Sequence, residues 1–466
     1  METIDHLISE GCRRAGDQTA LRHKVAGTWQ DLSYADLQRH FQKIAAGLLE
    51  AGLKPGERCA LLASSSPWWV AAYLATLRAG GVAVPVDKEL KTSELRHILD
   101  DSGARVVFTE DAYLETLLEL VSDLPDLERI VLLKTGPAVE ENDPALAGTL
   151  SALGSAWRKL LQEHAIPAEK ATALEELARS AYQRLTTPSK GEKGAMAGDF
   201  LSQGRVVRNK WQKSGRLVTL GELEDAAAPP VSPRRPEDLA VILYTSGTTG
   251  QSKGAMLSHA NITSNIAAAC KHLQLEGPVT TLSFLPINHV FEQVCGILLP
   301  LSLGGTVSFA ESLKKLGENL AEVQPSFFLG VPAVYRMVLD RIHKNVSASA
   351  VSRWMFALPL TRGLVAGKIR RKVGPNTIFI SGGAALDPAV AAGFRTLGMR
   401  LYQGYGITET APVVAAEHPG CVRPGTVGCP LPGVEVRIAH PNEEGVGEIL
   451  VKGPNVMLGY FNNPRA

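Results

Sequence analysis

The chain has 466 residues, of which 45% are hydrophobic and 20% are charged, and its formal net charge is +1. This composition is typical of a globular protein and leaves room for one large α/β body or for two or three domains. The balanced charge gives no reason to expect nucleic acid as a partner. Because the first residues contain neither a basic nor an apolar segment, no secretory signal is indicated, and we expect a cytoplasmic protein.

Cysteine usage favours the same compartment. The six cysteines form no CxxC pair and have no histidine cluster near them at the spacing of a zinc site: Cys12, Cys59, Cys270, Cys295, Cys421 and Cys429. The pattern predicts small buried thiols in a reducing cytosol rather than a disulfide framework.

Residues 1–137 are predicted to form the first α/β part of the fold. Residues 33–52 begin with Ser33, which can cap a helix, continue with apolar residues at helical spacing and stop at Gly52. Strands and further helices alternate behind this helix, with strands predicted over 58–63, 81–87 and 104–109 and helices over 67–80 and 93–101. Alternation of this kind predicts a parallel sheet covered by helices on both faces.

Residues 138–215 are predicted to be a polar insertion with a basic second half. Between Lys190 and Arg216 there are seven basic and two acidic side chains, a local charge of +5. Such a segment is typical of a solvated surface excursion. The alternative is a peripheral contact with the anionic inner face of a membrane, or with an acidic partner, through residues 190–216. The sequence leaves both interpretations open.

The α/β pattern returns in residues 216–410, the predicted second α/β part. Strands are predicted over 239–244, 279–285, 306–309, 327–330 and 377–381, and a helix over 258–273. After residue 411, Gly and Pro residues separate short strands such as GVEVRIA and GEILVKG. Residues 411–466 are therefore predicted to form a small antiparallel or barrel-like subdomain.

The strongest chemical signal is the segment Tyr244–Gly254, YTSGTTGQSKG, directly after an apolar strand. Its backbone N–H groups, its hydroxyls and its terminal lysine can surround a polyphosphate. The residues expected to do so are Thr245, Ser246, Gly247, Thr248, Thr249, Gly250 and Lys253. A Walker A loop does not fit, because Ser252 and Gly254 occupy the places of its second glycine and its magnesium-binding Ser or Thr.

The segment YTSGTTGQSKGAMLSH closely resembles the phosphate-loop signature of the adenylate-forming superfamily, which includes acyl- and aryl-CoA synthetases, nonribosomal-peptide adenylation domains and luciferases. Further segments resemble that family in the same order: SGGAALDP at Ser381–Pro388, YQGYGITET at Tyr402–Thr410 and GEILVKGPNVMLGYFNNP at Gly447–Pro464. The resemblance spans the chain apart from residues 138–215. It implies the large N-terminal domain of the adenylate-forming fold, an α/β architecture of two doubly wound sheets plus a small β-barrel-like subdomain.

The resemblance also implies how ATP binds. The residues expected at the adenine and the α-phosphate are Gly383, Ala384, Ala385, Gln403, Gly404, Tyr405, Gly406 and Thr408. Small residues after a strand let a flat ring approach the backbone, and Tyr405, between two glycines, is free to stack on the base. Glu409 offers a hard carboxylate oxygen to Mg²⁺, with Thr245 as its partner ligand.

The acyl side is indicated by LPINHVFEQ at Leu285–Gln293, which within the superfamily is most similar to long-chain fatty acyl-CoA synthetases. His289 is expected to flank the carboxylate and the adenylate and joins Thr245 and Glu409 in the predicted catalytic set. The alternative, a histidine satisfied within the core, is left open. Val290, Phe291 and Val331, the last within FFLGVPAVY, are expected to line the acyl site by analogy with the family.

The implied reaction is ATP-dependent activation of a long-chain fatty acid to acyl-AMP, followed by thioester formation with CoA, with Mg²⁺ as the metal. The family continues past GYFNNP into a ribose-binding aspartate and a C-terminal lid, so we expect the lid to be missing from this chain. Two alternatives remain: a ligase for another acyl or aryl acid, and a lidless nucleotide- or acyl-binding module with little activity. The oligomeric state is left open, a homodimer included.

Overall fold

The computed structural model describes residues 2–133, 206–225, 234–245, 251–348 and 350–464. Most of the predicted insertion lies outside the described residues. So does the centre of the predicted phosphate loop, namely Ser246, Gly247, Thr248, Thr249 and Gly250.

The strands are numbered β1 to β19 in chain order. They span Thr19–Val25, Thr28–Ser33, Arg58–Leu62, Val82–Pro85, Ala104–Thr109, Arg129–Leu132, Leu217–Thr219, Leu239–Thr245, Lys253–Ser258, Thr280–Ser283, Thr306–Phe309, Phe327–Gly330, Ile378–Ser381, Arg400–Gly406, Val413–Ala416, Cys429–Pro430, Glu435–Ala439, Glu448–Lys452 and Gly459–Tyr460.

Two large sheets organise these strands. The first has the order β19-β9-β8-β4-β3-β5-β6-β7 and is parallel from β8 to β7, with β9 and β19 antiparallel at one edge. The second has the order β16-β15-β14-β13-β12-β10-β11-β1-β2 and is parallel from β14 to β1, with antiparallel strands at both edges. The prediction of parallel sheets is confirmed.

The α-helices lie over both sheets. They span Ile4–Ala15, Tyr34–Glu50, Pro67–Arg78, Thr92–Ser102, Asp111–Leu120, Leu220–Glu224, His259–Leu273, Leu299–Ser302, Leu316–Val323, Pro332–Ser347, Ala350–Ala357, Pro359–Val373 and Pro388–Thr396, with a π-helix at Glu292–Leu298 and a 3₁₀ turn at Thr408–Thr410. The predicted cap is confirmed, because the Ser33 hydroxyl accepts a hydrogen bond from Asp36 N. In the described part of the chain, no helix combines the length and the apolar character needed to cross a bilayer.

A helical layer between the two sheets holds the main core. The helix Pro67–Arg78 contacts β3 and β4 of the first sheet and β1 of the second, and the helix His259–Leu273 contacts β8, β9 and β15. Buried residues of both sheets and of this layer form one apolar cluster. The two sheets are therefore fixed relative to each other by shared buried surface, which dominates the stability of such a layered fold.

The end of the predicted insertion packs against the first sheet. Residues 206–213 form a helix whose Trp211 is buried, and the Arg216 guanidinium lies 3.9 Å from the Trp211 ring. Arg216 Nε also donates to Glu128 O at 3.0 Å. Arg216 is exposed, but its side chain is held against the first sheet by these two contacts. The membrane contact proposed for 190–216 stays a prediction, since residues 190–205 lie outside the described part of the chain.

The strands after residue 411 pair antiparallel, as one of the two predicted alternatives has it, but in the described part of the chain they do not form the barrel-like arrangement. β15 and β16 extend the second sheet, β19 extends the first, and β17 pairs with β18 in a two-stranded ribbon. Among the described residues these strands form no closed barrel. Short strands separated by Gly and Pro look alike in sequence whether they pair with one another or with the edges of distant sheets.

The cysteine prediction was wrong for one pair. Cys421 and Cys429 form a disulfide with an S–S distance of 2.13 Å, whereas Cys12, Cys59, Cys270 and Cys295 are free thiols. The chain turns back after β15, so that Cys429 pairs with Ala416 and Cys421 with His418 across the turn. The turn brings together two cysteines that are eight residues apart in sequence, a separation that matches no short cysteine motif. It also places His418 beside both sulfurs.

Candidate functional site

A largely apolar cavity of about 610 Å³ lies between the helix His259–Leu273, the π-helix and the carboxyl ends of β12, β13 and β14. Ligands of parallel sheets bind at such carboxyl ends, because loops diverge there and leave a crevice. Residues predicted for both halves of the site share this cavity: His289, Val290, Phe291, Val331, Gly383, Gly404, Tyr405, Gly406 and Thr408. Its wall does not include Ala384, Ala385 or Gln403.

The acyl half of the cavity is formed by the segment that enters the π-helix. Val290 is 6% exposed, and the Phe291 ring packs so closely on Gly382 that a Cβ there would lie 3.0 Å from the ring. His289 is exposed at the wall of the cavity. It is therefore not a core histidine, which leaves the predicted position beside the substrate carboxylate available to it.

The adenine half begins where β13 ends. Gly383 has φ +78°, a backbone conformation that glycine adopts without strain, and its neighbours Ala384 and Ala385 are exposed. The Gln403 side chain holds this loop, because its Oε1 accepts a hydrogen bond from Leu386 N at 2.9 Å. The contact gives Gln403 a positioning function and keeps the flat glycine-alanine surface open.

Glu417 holds β14, the strand that carries Gln403. It was not identified from the sequence. Its carboxylate is buried and accepts hydrogen bonds from Gln403 N at 2.9 Å and from Arg423 N at 3.2 Å. The second bond ties β14 to the loop that the Cys421–Cys429 disulfide closes. A lone glutamate within AAEHPG carries no sequence signal for this role.

A polar cluster brings together residues that were predicted for the phosphate side of the site. Thr245, at the end of β8, pairs with Lys253, at the start of β9. The Lys253 ammonium lies 5.4 Å from the centre of the Tyr460 ring, and the Tyr460 hydroxyl donates to Glu409 Oε1 at 2.7 Å. Burial and the bond to Glu409 raise the pKa of Tyr460 to about 12, so the phenol stays a donor at neutral pH.

Tyr460 is the main residue that sequence reasoning missed. It reaches the site because β19 pairs with β9, with Tyr460 opposite Ala255. The available signal was the position of this tyrosine within GYFNNP, a segment already noted for its resemblance. Its function depends on contacts that span 51 residues of sequence.

The two ends of the phosphate loop are anchored to one helix of the first sheet. Tyr244 donates to Asp101 Oδ2 at 2.6 Å, and a His97 ring nitrogen lies 3.2 Å from Ser252 O. Burial, with a smaller contribution from Asp101, raises the pKa of Tyr244. The anchored residues Tyr244 and Ser252 flank the centre of the predicted loop on its two sides.

Buried amides hold the 3₁₀ turn that carries Glu409. Asn455 donates to Thr410 O at 2.9 Å and Asn265 donates to Val413 O at 2.8 Å. Asn265, on the helix between the sheets, also accepts from Val413 N at 3.3 Å. Because the Asn265 amide is paired through both its nitrogen and its oxygen, any other arrangement of this backbone would leave it unpaired in the core.

Residues 8–461 match the model of the AMP-binding enzyme family. The chain belongs to that family. This match covers both halves of the cavity and the polar cluster, and it confirms the resemblance to adenylate-forming enzymes.

Relatives and solved structures of this AMP-binding enzyme agree with the assignment. The long-chain-fatty-acid–CoA ligase ACSBG1 from Homo sapiens is 25% identical to it over 496 residues, which cover 99% of this chain and 59% of the human protein. The chain therefore spans less than two thirds of that relative's length. The anthranilate CoA ligase AuaEII, solved in complex with anthranoyl-AMP, has a TM-score of 0.70 at 18% identity and covers 99% of this chain and 72% of its own.

A third comparison concerns the nucleotide. ATP-bound MatB from Rhodopseudomonas palustris has a TM-score of 0.65 at 23% identity, with 99% of this chain and 72% of MatB covered. These likenesses confirm the predicted α/β fold. The functions of the individual site residues of this AMP-binding enzyme stay predictions.

The side-chain oxygen atoms of the polar cluster are of the kind that binds a magnesium ion. Glu409 uses Oε1 to accept from Tyr460, and among the described residues its Oε2 makes no hydrogen bond. A carboxylate oxygen and the Thr245 hydroxyl are hard ligands, and Mg²⁺ is typically held by one or two protein oxygens together with phosphate oxygens.

Proposed function

We propose that this protein activates a long-chain fatty acid with ATP to give acyl-AMP and pyrophosphate, and that the acyl group then passes to the thiol of CoA with release of AMP. The supporting observation is that two consecutive residues lie in different environments, one apolar and one polar. Thr408 lies in the wall of the apolar cavity, while Glu409 belongs to the polar cluster with Tyr460. An acid whose chain fills the cavity would bring its carboxylate beside the phosphate-binding groups.

In the first step, a carboxylate oxygen attacks the α-phosphorus in line, and the bond from phosphorus to the pyrophosphate oxygen breaks. Such a reaction depends on positioning and on neutralising charge, and it needs no protein nucleophile. Lys253 supplies a positive charge, and the Thr408 hydroxyl donates to the α-phosphate. Mg²⁺, held by Thr245 and Glu409, would neutralise charge on the phosphates. In the second step, the CoA thiolate attacks the acyl carbonyl and AMP leaves.

The apolar wall supports a long-chain acid over an aryl acid. Leu299, Leu329 and Cys295 are buried in that wall, and an acyl chain gains free energy from each methylene it removes from water. The name of the human relative supports the same substrate class. The anthranilate ligase has the same fold at 18% identity. The fold alone therefore does not distinguish an aryl acid from a long-chain acid, and the choice between them depends on the residues that line the cavity.

Binding of non-hydrolysable acyl-AMP analogues tests the substrate class. Affinity measured by isothermal titration calorimetry is expected to rise from C8 through C12 to C16, by about 0.8 kcal/mol for each methylene that the cavity buries. Benzoyl and anthraniloyl analogues provide the aryl comparison. A flat series, or tighter binding of the aryl analogues, would reject the long-chain assignment.

A pair of neighbouring alanines provides a matched test of the cavity. Ala269 is 5% exposed and lies in the cavity wall, whereas Ala267 on the same helix is exposed. Ala269→Phe takes up cavity space and is expected to weaken C16 binding more than C8 binding. Ala267→Phe should change neither. Equal effects of the two substitutions would place the acyl chain elsewhere.

A further inference from the structure

Glu292 is an ionisable side chain in the wall of an otherwise largely apolar cavity. It is the first residue of the π-helix and is 1% exposed. Among the described residues, its Oε1 has no hydrogen-bond partner. Buried polar atoms in native proteins are nearly always paired, so an unpaired carboxyl oxygen at a cavity indicates a partner that the protein itself does not supply.

The local structure makes room for this carboxyl group. A Cβ at Gly296, four residues further on, would lie 2.7 to 2.8 Å from the carboxyl atoms of Glu292, so any larger residue there would displace it. The seven-residue π-helix sets this spacing, and π-helical turns occur frequently at functional sites. The carboxyl group is therefore accommodated by the backbone rather than forced into the core.

A second polar group adjoins it. The Ser283 hydroxyl on β10 lies close enough to the Glu292 carboxyl to favour its charged form, which counteracts part of the effect of burial on the Glu292 pKa, and Ser283 itself lies outside the cavity wall. Burial raises the pKa of Glu292 to about 7. At neutral pH a substantial fraction of this carboxyl is protonated, and a protonated carboxyl can both donate and accept a hydrogen bond.

We propose that Glu292, supported by Ser283, binds a hydroxyl group carried along the chain of the fatty acid, so that the preferred substrates are hydroxylated long-chain acids. The inference rests on the proposed function, since it assigns the acyl chain to this cavity. A hydroxyl can both donate and accept a hydrogen bond, which matches the unpaired carboxyl oxygen of Glu292 in the cavity wall. An unsubstituted chain would leave Glu292 Oε1 unpaired, and buried unpaired groups are destabilising.

The test scans a hydroxyl along a C16 chain. Palmitoyl-AMP analogues with the hydroxyl placed at successive positions, from near the carbonyl to the far end, are titrated against the protein by calorimetry. One position is expected to bind about tenfold more tightly than the unsubstituted analogue, a change equivalent to roughly 1.4 kcal/mol. Binding of every hydroxylated analogue at or below the affinity of the unsubstituted one would overturn the inference.

Two substitutions separate hydrogen bonding from charge. Glu292→Gln keeps a donor and an acceptor at the same place and should retain the positional preference. Glu292→Leu should abolish the preference while leaving the unsubstituted analogue bound at least as tightly as before. Loss of the preference in Glu292→Gln would contradict a hydrogen-bonding role, and so would its persistence in Glu292→Leu.

The outcomes also separate this inference from the proposed function. If the unsubstituted C16 analogue binds well and no hydroxyl position improves it, the inference fails and the proposed function stands. If no C16 analogue binds, hydroxylated or not, both fail.

Discussion

On the predicted nucleotide side of the site, three polar side chains are hydrogen-bonded to other groups of the chain, whereas the predicted acyl side contains a buried carboxyl oxygen without a partner among the described residues. Glu409 accepts from Tyr460, Gln403 accepts from the 382–386 loop, and Glu417 accepts from two backbone amides. Glu292 lies buried in the cavity wall, and its Oε1 makes no hydrogen bond among the described residues. The two regions meet at Thr408 and Glu409.

Under the proposed function, the difference follows from what each side binds. A triphosphate and a base need donors and acceptors in fixed places, and a network of satisfied hydrogen bonds fixes them before the ligand arrives. An acyl chain is bound through the removal of apolar surface from water, which requires space rather than direction. An unpaired carboxyl on the second side is therefore the exception, and it should respond to pH and to ligands more strongly than the paired groups do.

The largest expected effect is on stability as a function of pH. Burial raises the pKa of Glu292 to about 7 in the folded protein, above the ordinary value of 4.5. The stability associated with its protonated form is complete below pH 4.5 and is lost as pH rises through 7. Relative to Glu292→Gln, the wild type should lose about 3 kcal/mol of unfolding free energy between pH 4.5 and pH 8. Urea unfolding of both proteins across this range measures the difference, and parallel pH profiles would show that Glu292 is not buried in this way.

The next largest effect is expected from the Cys421–Cys429 disulfide, which closes the loop bound by Glu417. Replacing both Cys421 and Cys429 by serine should lower the unfolding free energy by roughly 2.5 kcal/mol, the entropy expected for closing a short loop. Reduction of the wild type should lower the unfolding free energy by the same amount. Cys270→Ser, which removes a free thiol, should change it little. Thiol titration of the denatured, unreduced protein checks the premise: four free thiols are expected, and six would restore the prediction of a fully reduced chain.

Glu409→Gln tests the metal assignment. The substitution removes the charge while keeping an acceptor for Tyr460. The strengthening of ATP binding by Mg²⁺ should fall by about 2 kcal/mol, within the range for a lost charged contact. ATP titrations with Mg²⁺ and with EDTA measure this, and the dependence of acyl-AMP affinity on chain length serves as the internal control. Unchanged Mg²⁺ dependence in the variant would remove Glu409 from the metal site.

The smallest expected effect is that of Tyr460→Phe. Loss of one hydrogen bond to Glu409 should weaken ATP binding by about 1 kcal/mol and leave acyl-chain discrimination unchanged. Tyr402→Phe is the matched control, since in the described part of the chain the Tyr402 hydroxyl makes no hydrogen bond. An equal loss in both variants would mean that the aromatic packing, and not the bond to Glu409, supports the nucleotide side.

Local structure was well predicted wherever the deciding interactions lie close in sequence. The strands Ala104–Thr109 and Thr306–Phe309 have the predicted bounds, and the cap at Ser33 involves a residue three positions away. The cavity residues His289 to Phe291 and Gly404 to Gly406 were placed together through resemblance alone. Apolar periodicity and short motifs do not predict which distant segments of the chain will come into contact.

What the sequence by itself determined is therefore the set of elements, the parallel sheets and the identity of the phosphate-binding and metal-binding candidates, because caps, periodicity and loop chemistry act over a few residues. Only the tertiary structure decided that Tyr460 joins Glu409 to Lys253, that Cys421 meets Cys429, and that Glu292 lies in the cavity wall with one oxygen that has no partner among the described residues. Each of these depends on the pairing of a strand edge or on the packing of a helix against a sheet. Such contacts arise when the whole chain buries its apolar surface, and a short stretch of sequence carries no record of them.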